Sequence, residues 1–323
     1  MAGREFDIIE RYFLQLSEGR EEAAGFKNDG AVLDVPGGYQ LVVTSDTLNA
    51  GTHFLADQSS DMIAAKALRT NLSDLASMGA KPYCYQLCLA LPEANEDWIS
   101  VFCRGLMADQ NRYGIFLSGG DTTSIDGPLS ISITAFGLVK KGEVVTRNNA
   151  KPGDKILVSG TIGDAWCGLE VLRGNLPRLD GGENLITRSR MPEPPVILGA
   201  FLSHYAHAAL DISDGLAADL NHMAKASGLR AIINVSDIPF SKEAYTLISE
   251  RKVMLEQLIT GGDDYELVMA VPGNAVEDFL EKAQELGIRL SVIGEFVEGK
   301  PGSVFIDPNS QPLSLAKNGW QHF

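Results

Sequence analysis

Basic residues are scarce in this chain: 27 Lys and Arg stand against 42 Asp and Glu, a net charge of −15 over 323 residues. A nucleic-acid surface needs clustered Lys and Arg, so this balance excludes nucleic acid as the partner. It leaves open small phosphate-bearing molecules bridged to carboxylates by divalent cations. Cysteine is sparser still. Cys84, Cys88, Cys103 and Cys167 make no C-x-x-C pair and no Cys/His zinc spacing, and read as small apolar residues of a reducing cytoplasm. Long apolar runs are missing as well. The longest uncharged stretch, Pro194 to Leu210, contains Ser203, His204, Tyr205 and His207. It is too short and too polar for a membrane span and reads as a core helix begun at Pro194 and Pro195. Met1 to Asp7 mixes acids into its first turn, unlike a signal peptide.

The familiar catalytic signatures are absent too. The chain has no P-loop, no dinucleotide-binding glycine fingerprint and no kinase catalytic loop. It also lacks a zinc-protease H-E-x-x-H and a serine-hydrolase elbow, and Asp211-Ile-Ser-Asp-Gly215 has the wrong spacing for an EF-hand.

What the chain does have is apolar runs that end in acid. Leu41-Val-Val-Thr-Ser-Asp-Thr47 breaks from a β-branched run into hydroxyls and a carboxylate. Ile115 to Asp121, Ala208 to Asp214 and Leu258 to Asp264 repeat the pattern, two of them through Gly-Gly-Asp. Any one Asp after a strand is equally well a helix cap or turn former. Four together suggest strand ends that deliver oxygen ligands, where α/β proteins place their chemistry.

The spacing predicts an amphipathic helix over 5–17, a strand at Ala31 to Val35 forming a hairpin with the central strand, and a helix at 61–78. Strands at 83–91 and 129–137 and a helix at 96–112 follow. Lys151-Pro-Gly-Asp154 punctuates the chain, dividing an N-terminal domain, 1–150, from a C-terminal one, 151–323. The second half predicts a strand at 155–159 and helices at 164–173, 194–206, 216–227 and 276–286. The fold class is therefore α/β (α+β): a mixed sheet with helices, then an α/β domain.

The carboxylates left for chemistry are Asp29, Asp46, Asp74, Asp121, Asp211, Asp214, Asp263 and Asp264. Three of them converging would repel, two charges about 4 Å apart costing roughly 4 kcal/mol at an effective dielectric of 20. Cations or protons must relieve that, and hard oxygens with Ser and Thr neighbours suit Mg²⁺. The residues thus point to a magnesium-bridged polyphosphate site without a P-loop. Asn71-Leu-Ser-Asp74 lies inside the predicted helix, where the bland alternative is a solvated face.

Thr44-Ser-Asp-Thr47 with His53-Phe54, Asn71 to Ala80, Gly119-Gly-Asp-Thr-Thr123, Thr146-Arg147, Lys151 to Asp154, Asp211 to Leu216, Gly262 to Leu267 and Gly319 to Phe323 together make a specific set. In these stretches, almost end to end, the chain resembles the thiamine-monophosphate kinase family. That family belongs to the superfamily of aminoimidazole ribonucleotide synthetase and selenophosphate synthetase. The resemblance implies ATP-dependent phosphorylation of thiamine monophosphate to thiamine diphosphate by a homodimer joined through its N-terminal halves. It implies magnesium ions on Asp29, Thr44, Ser45, Asp46, Asp74, Asp121, Asp211 and Asp214, with Asp46, Asp74, Asp121 and Asp214 central to catalysis. Gly120, Asp121, Arg147 and Ser213 would contact ATP; His53, Asp263 and Trp320 would hold the thiamine end.

For Arg147, His53 and Trp320 the plain alternatives are a surface arginine, a satisfied turn histidine and a packed anchor. The chain departs from the family twice. Gly25-Phe-Lys-Asn-Asp29 replaces Gly-x-Gly-Asp-Asp, and Gly261-Gly-Asp-Asp264 replaces Gly-Gly-Glu-Asp. Two rival readings remain: another ATP-dependent synthetase of the superfamily, and a non-catalytic acidic metal-binding protein.

Overall fold

The computed structural model of the protein describes residues 7–28, 30–315 and 319–320. The chain folds as two units, one from Met1–Leu75 and Ala80–Gly142, the other from Ala76–Gly79 and Glu143–Phe323.

In the first unit the described residues form strands β1 (Tyr39–Asn49), β2 (Lys81–Leu91), β3 (Phe116–Ser124) and β4 (Ser130–Lys140), with helices α1 (Ser60–Ser77) and α2 (Glu96–Tyr113). The sheet runs β1-β4-β2-β3; β2 and β3 are parallel and the other neighbours antiparallel. A parallel pair needs a long crossover, which α2 supplies. Asn95 caps that helix by accepting from Trp98 N–H at 3.1 Å, and Gly114 ends it at φ 67°.

The α1 helix is buried almost all round. Leu68, Leu72, Asn71 and Ser73 are all fully buried, so Asn71 and Ser73 do not form the solvated face left open above. The reason is close helix contact. Gly105 lies against the Asp61 backbone, where a Cβ would come within 2.5 Å of the carbonyl oxygen. A buried fork, Arg69 Nε and Nη2 to the two Asp109 oxygens at 2.8 Å each, joins α1 to α2.

Three expectations fail here. Residues 7–17 are not one α-helix: a wide turn at Ile9–Phe13 passes into a tight 3₁₀ turn at Leu14–Ser17, ended by Glu18 at φ 51°. Ala31 to Val35 is no strand. β1 pairs only with β4 in this sheet, and Val32 is 73% exposed. Finally, Thr44 to Thr47 and Gly119 to Asp121 lie inside β1 and β3 rather than beyond their ends.

The second unit holds β5 (Lys155–Ser159), β6 (Ala208–Asp211), β7 (Arg230–Asn234), β8 (Leu267–Val271), β9 (Leu290–Val297) and β10 (Gly302–Ile306), in the order β10-β7-β9-β5-β8-β6. Helices α3 (Asp164–Leu172), α4 (Glu183–Arg190), α5 (Leu216–Ala226), α6 (Lys242–Ser249), α7 (Leu255–Thr260) and α8 (Val276–Glu285) surround it. The central strands are buried on both faces. Ile156, Val158, Val268 and Ala270 enter one core with Leu220 and Met223 of α5; Leu157, Met269 and Val271 enter another with Phe279 and Ala283 of α8. Double-sided burial is why these strands read as unbroken apolar runs.

The predicted helix at 194–206 is broken into turns at Val196–Gly199 and Leu202–Tyr205. Leu258 to Thr260 closes α7 instead of forming a strand. His207 is not on a helix face: its Nδ1 meets both oxygens of buried Asp154 at 2.9 Å. No helix among the described residues is long and apolar enough to cross a membrane.

Removing one member of a buried ion pair leaves the other charge uncompensated, at a cost of about 3–5 kcal/mol. Arg69→Ala should lose that much stability in urea unfolding, whereas the apolar pair Arg69→Met with Asp109→Leu should recover most of it. A loss below about 1 kcal/mol, the range of exposed pairs, would show that the fork does not hold the helices.

Candidate active site

In the first unit, alternation along β1 decides which oxygens meet. Thr44 and Asp46 point to the face covered by α1; Ser45 and Thr47 point to the open face. On the covered face the Thr44 hydroxyl donates to Asp74 of α1. Burial pushes Asp46 up to about 6; the Asp74 charge adds to this, and a hydrogen bond from the Thr70 hydroxyl opposes it. Thr70 and Asp74, four apart on α1, share one helix face. Two carboxylates and two hydroxyls thus gather in a partly desolvated place.

Ser45 and Asp121 do not join them. Ser45 Oγ pairs with Thr134 Oγ1 at 2.9 Å on the open face. The register aligns Asp46 with Ile133, Leu87 and Gly120, and sets Asp121 beside Cys88 and Ser132 on the open side. Three strand steps of about 4.8 Å separate β1 from β3, roughly 14 Å. Gly120 is required where it stands: at φ 155°, a Cβ would come within 1.8 Å of Leu87 O. Gly119 to Thr122 instead line a cavity of about 430 Å³ with Phe13, Phe26, Gln86 and Cys88. Asp29 lies outside the described residues. His53 closes the turn after β1, its Nδ1 accepting from Asn49 N–H at 2.9 Å, which places its proton on Nε2.

In the second unit four of the expected residues meet through backbone. Asp211 ends β6 and is buried. The turn after it is held by Asp219, whose Oδ2 accepts from the N–H groups of Ser213, Asp214 and Gly215 at 3.0, 3.0 and 3.1 Å. Burial pushes Asp219 up to about 7, with the Asp214 charge contributing and the three N–H groups opposing. Asp263 N–H donates to Ser213 O at 2.7 Å, and Trp320 N–H to Asp214 O at 3.0 Å. Gly262 makes the first contact feasible, since a Cβ there would lie 2.5 Å from Ser213 O. Trp320 is half exposed, so it is not a packed anchor. Arg147 is exposed, and its carbonyl accepts from Ser227 Oγ at 3.2 Å.

Sequence reasoning missed Thr70, Asp219 and the buried partners of the Gly262–Glu266 loop. Thr70 carried a signal in its i, i+4 spacing to Asp74, and Asp219 in being the acid of the first turn of α5.

Hard oxygens and a like-charge pair match the donor chemistry of magnesium. Among the described residues no group of three or more His, Cys, Asp or Glu could by itself hold a metal ion. A cation on Asp46 and Asp74 would therefore complete its shell with substrate phosphates and water.

Asp219→Ala would leave three N–H groups without their acceptor. The expected cost is about 1–3 kcal/mol or more of unfolding free energy, measured by denaturant titration in EDTA, with Asp219→Asn intermediate. Equal stability of all three proteins would mean that the turn holds itself.

Two family models match the chain: AIR synthase related protein, N-terminal domain, over residues 27–139, and its C-terminal domain over 151–307. Thiamine-monophosphate kinase of Caulobacter vibrioides is 42% identical over 98% of this chain and 90% of its own. The crystal structure of thiamine-monophosphate kinase from Stenotrophomonas maltophilia aligns with TM-score 0.85 at 39% identity, covering 94% of this chain and 96% of that one. AaThiL complexed with AMPPCP and TMP aligns with TM-score 0.79 at 29% identity, covering 92% and 91%. Alike in sequence along nearly its whole length and alike in fold, the chain belongs to the thiamine-monophosphate kinase family of AIR synthase related proteins.

Proposed function

We propose that this protein transfers the γ-phosphoryl group of ATP directly onto the phosphate of thiamine monophosphate, giving thiamine diphosphate and ADP. The observation that carries this reading is the desolvated Asp46–Asp74 pair with its hydroxyl neighbours, in a member of this family. Such a pair calls for a divalent cation, and the acceptor is already a phosphate anion that needs no general base. Charge neutralisation and in-line placement are then the whole task.

Asp46, Asp74 and Thr44 of the first unit and Asp211 and Asp214 of the second would hold magnesium. Bound there, the ions would offset the charge of the phosphates and orient them. Parts for Asp29, Ser45 and Asp121 in this set rest on the resemblance alone. Gly120 and Asp121, with the cavity beside them, serve the nucleotide together with Arg147 and Ser213; a planar, permanently charged guanidinium suits a phosphate. His53, Asp263 and Trp320 hold the acceptor, and an exposed indole face suits a cationic thiazolium. In this reading the N-terminal domain, 1–150, binds ATP and metal, and 151–323 completes the site. The described cysteines are all free thiols, which agrees with a cytoplasmic location.

The assay is direct: ATP, Mg²⁺ and thiamine monophosphate should yield thiamine diphosphate. Asp46→Asn should lose about 10²–10³-fold in kcat, the usual effect of removing one electrostatic contact to the transition state. Labelled ATP without acceptor should leave the denatured protein unlabelled. Absence of product, stoichiometric label, or an Asp46→Asn activity within about threefold of wild type would each refute the corresponding part.

We also propose a homodimer through the N-terminal sheet. Its open face presents Val43, 55% exposed, with Leu41, Phe136 and Leu138 partly exposed beside it, and β1 is an edge strand. Light scattering should give twice the 34.8 kDa chain mass, and Val43→Glu should shift it toward monomer. A monomeric wild type would end this proposal.

A further inference from the structure

The Gly262–Glu266 loop carries a backbone that ordinary residues avoid. Asp263 and Tyr265 are both left-handed, at φ 68° and 51°, on either side of Asp264, which is 1% exposed. Such conformations persist only where the surroundings over-determine them. Here the restraint comes from beneath. Both carboxylate oxygens of Asp264 accept from Gly163 N–H at 3.0 Å, at the start of α3. Glu266 takes the Ser159 hydroxyl at 2.5 Å, and that hydroxyl oxygen in turn accepts from Leu267 N–H at 2.9 Å.

Arg188 of α4 ties the middle of the loop to its end: its Nη2 donates to Glu266 Oε1 at 2.6 Å and to Asp264 O at 3.3 Å. Above this support, Asp263 and Tyr265 donate their N–H groups to Ser213 O and Ile212 O. Charge explains why an arginine stands there. Asp164, Asp264 and Glu266 are buried together, and burial raises all three above the ordinary carboxylate range, while the Arg188 charge lowers each.

We propose that Arg188 is a positioning residue for the phosphate acceptor, holding Asp263 in the left-handed conformation in which its carboxylate meets thiamine monophosphate. This rests on the reading of Asp263 as an acceptor contact. A lysine keeps the charge, but its nitrogen lies one bond nearer the backbone than Nη2, so from the same place on α4 it falls short of the carboxylate and the carbonyl that Nη2 bridges. A role limited to anchoring α4 would instead lower the folded fraction and leave both substrates' KM values alone.

The test compares wild type, Arg188→Lys, Asp263→Ala and the double variant by steady-state kinetics, with circular dichroism confirming the fold. Arg188→Lys should raise KM for thiamine monophosphate about tenfold, the effect of one hydrogen bond to a charged group, with KM for ATP within about twofold. Combined with Asp263→Ala it should add little, because residues acting through one contact are not additive. Glu266→Gln, which keeps an acceptor for Arg188, should show the same selective rise in smaller measure; it serves if Arg188→Lys does not fold. Additive losses, parallel rises in both KM values, or an unchanged acceptor KM would overturn the inference while leaving the activity intact. A wild type that makes no thiamine diphosphate would instead fail the functional reading, and the inference with it.

Discussion

A carboxylate taken out of water must be given donors, a countercharge or a proton, and this constraint organises both units. Asp109 receives the fork of Arg69, and Asp219 receives three consecutive N–H groups. Asp264 receives a helix start, and Glu266 receives Arg188 and Ser159. Each satisfied acid fixes a piece of backbone, and the pieces so fixed carry acids of the proposed site. The structural acids and those proposed to bind ligand are neighbours in sequence: Asp264 follows Asp263, and Asp219 lies five residues after Asp214.

The same economy explains the glycines of the site. A loop can be pinned by backbone hydrogen bonds only if another backbone comes close, and a Cβ is often what prevents it. Gly262 against Ser213 O, Gly215 against Thr260 and Gly120 against Leu87 O are three such approaches. A side chain at Gly215 or Gly262 would push the paired loops apart, at the expense of the backbone contact between Asp263 and Ser213.

How much of this was legible depends on whether an element is decided locally. The helices at 60–77 and 96–113 and the strands at 81–91 and 155–159 announce themselves through periodicity, caps and buried apolar runs. Ala31 to Val35 has the composition of a strand, but strands need partners, and β4 pairs β1 from about a hundred residues away. The run ending in Asp264 looks like its three companions, yet helix α7 claims its apolar part, because a short apolar run does not distinguish helix from strand. Among the candidate site residues, Asp46, Asp74, Asp211 and Asp214 stood out by type and setting. Thr70, Asp219 and Arg188 act through tertiary contact and carried little signal of their own. Ser45 was read with Asp46, although a period of two puts adjacent residues on opposite faces.

The acids of this chain therefore differ in kind, and the difference lies in what surrounds them rather than in their motifs. Asp219, Asp264 and Glu266 stay buried with their lone pairs occupied by the protein's own donors. That leaves them little capacity to bind anything else. Asp46 is partly buried, but its neighbours are a second carboxylate and a hydroxyl, so desolvation and like charge both act against its ionised form. The fold itself acts against the charge of such a group, and either a proton or a bound cation would relieve it. If a metal–phosphate complex binds there as proposed, part of its binding energy would come from the packing of β1 on α1, set before any ligand arrives.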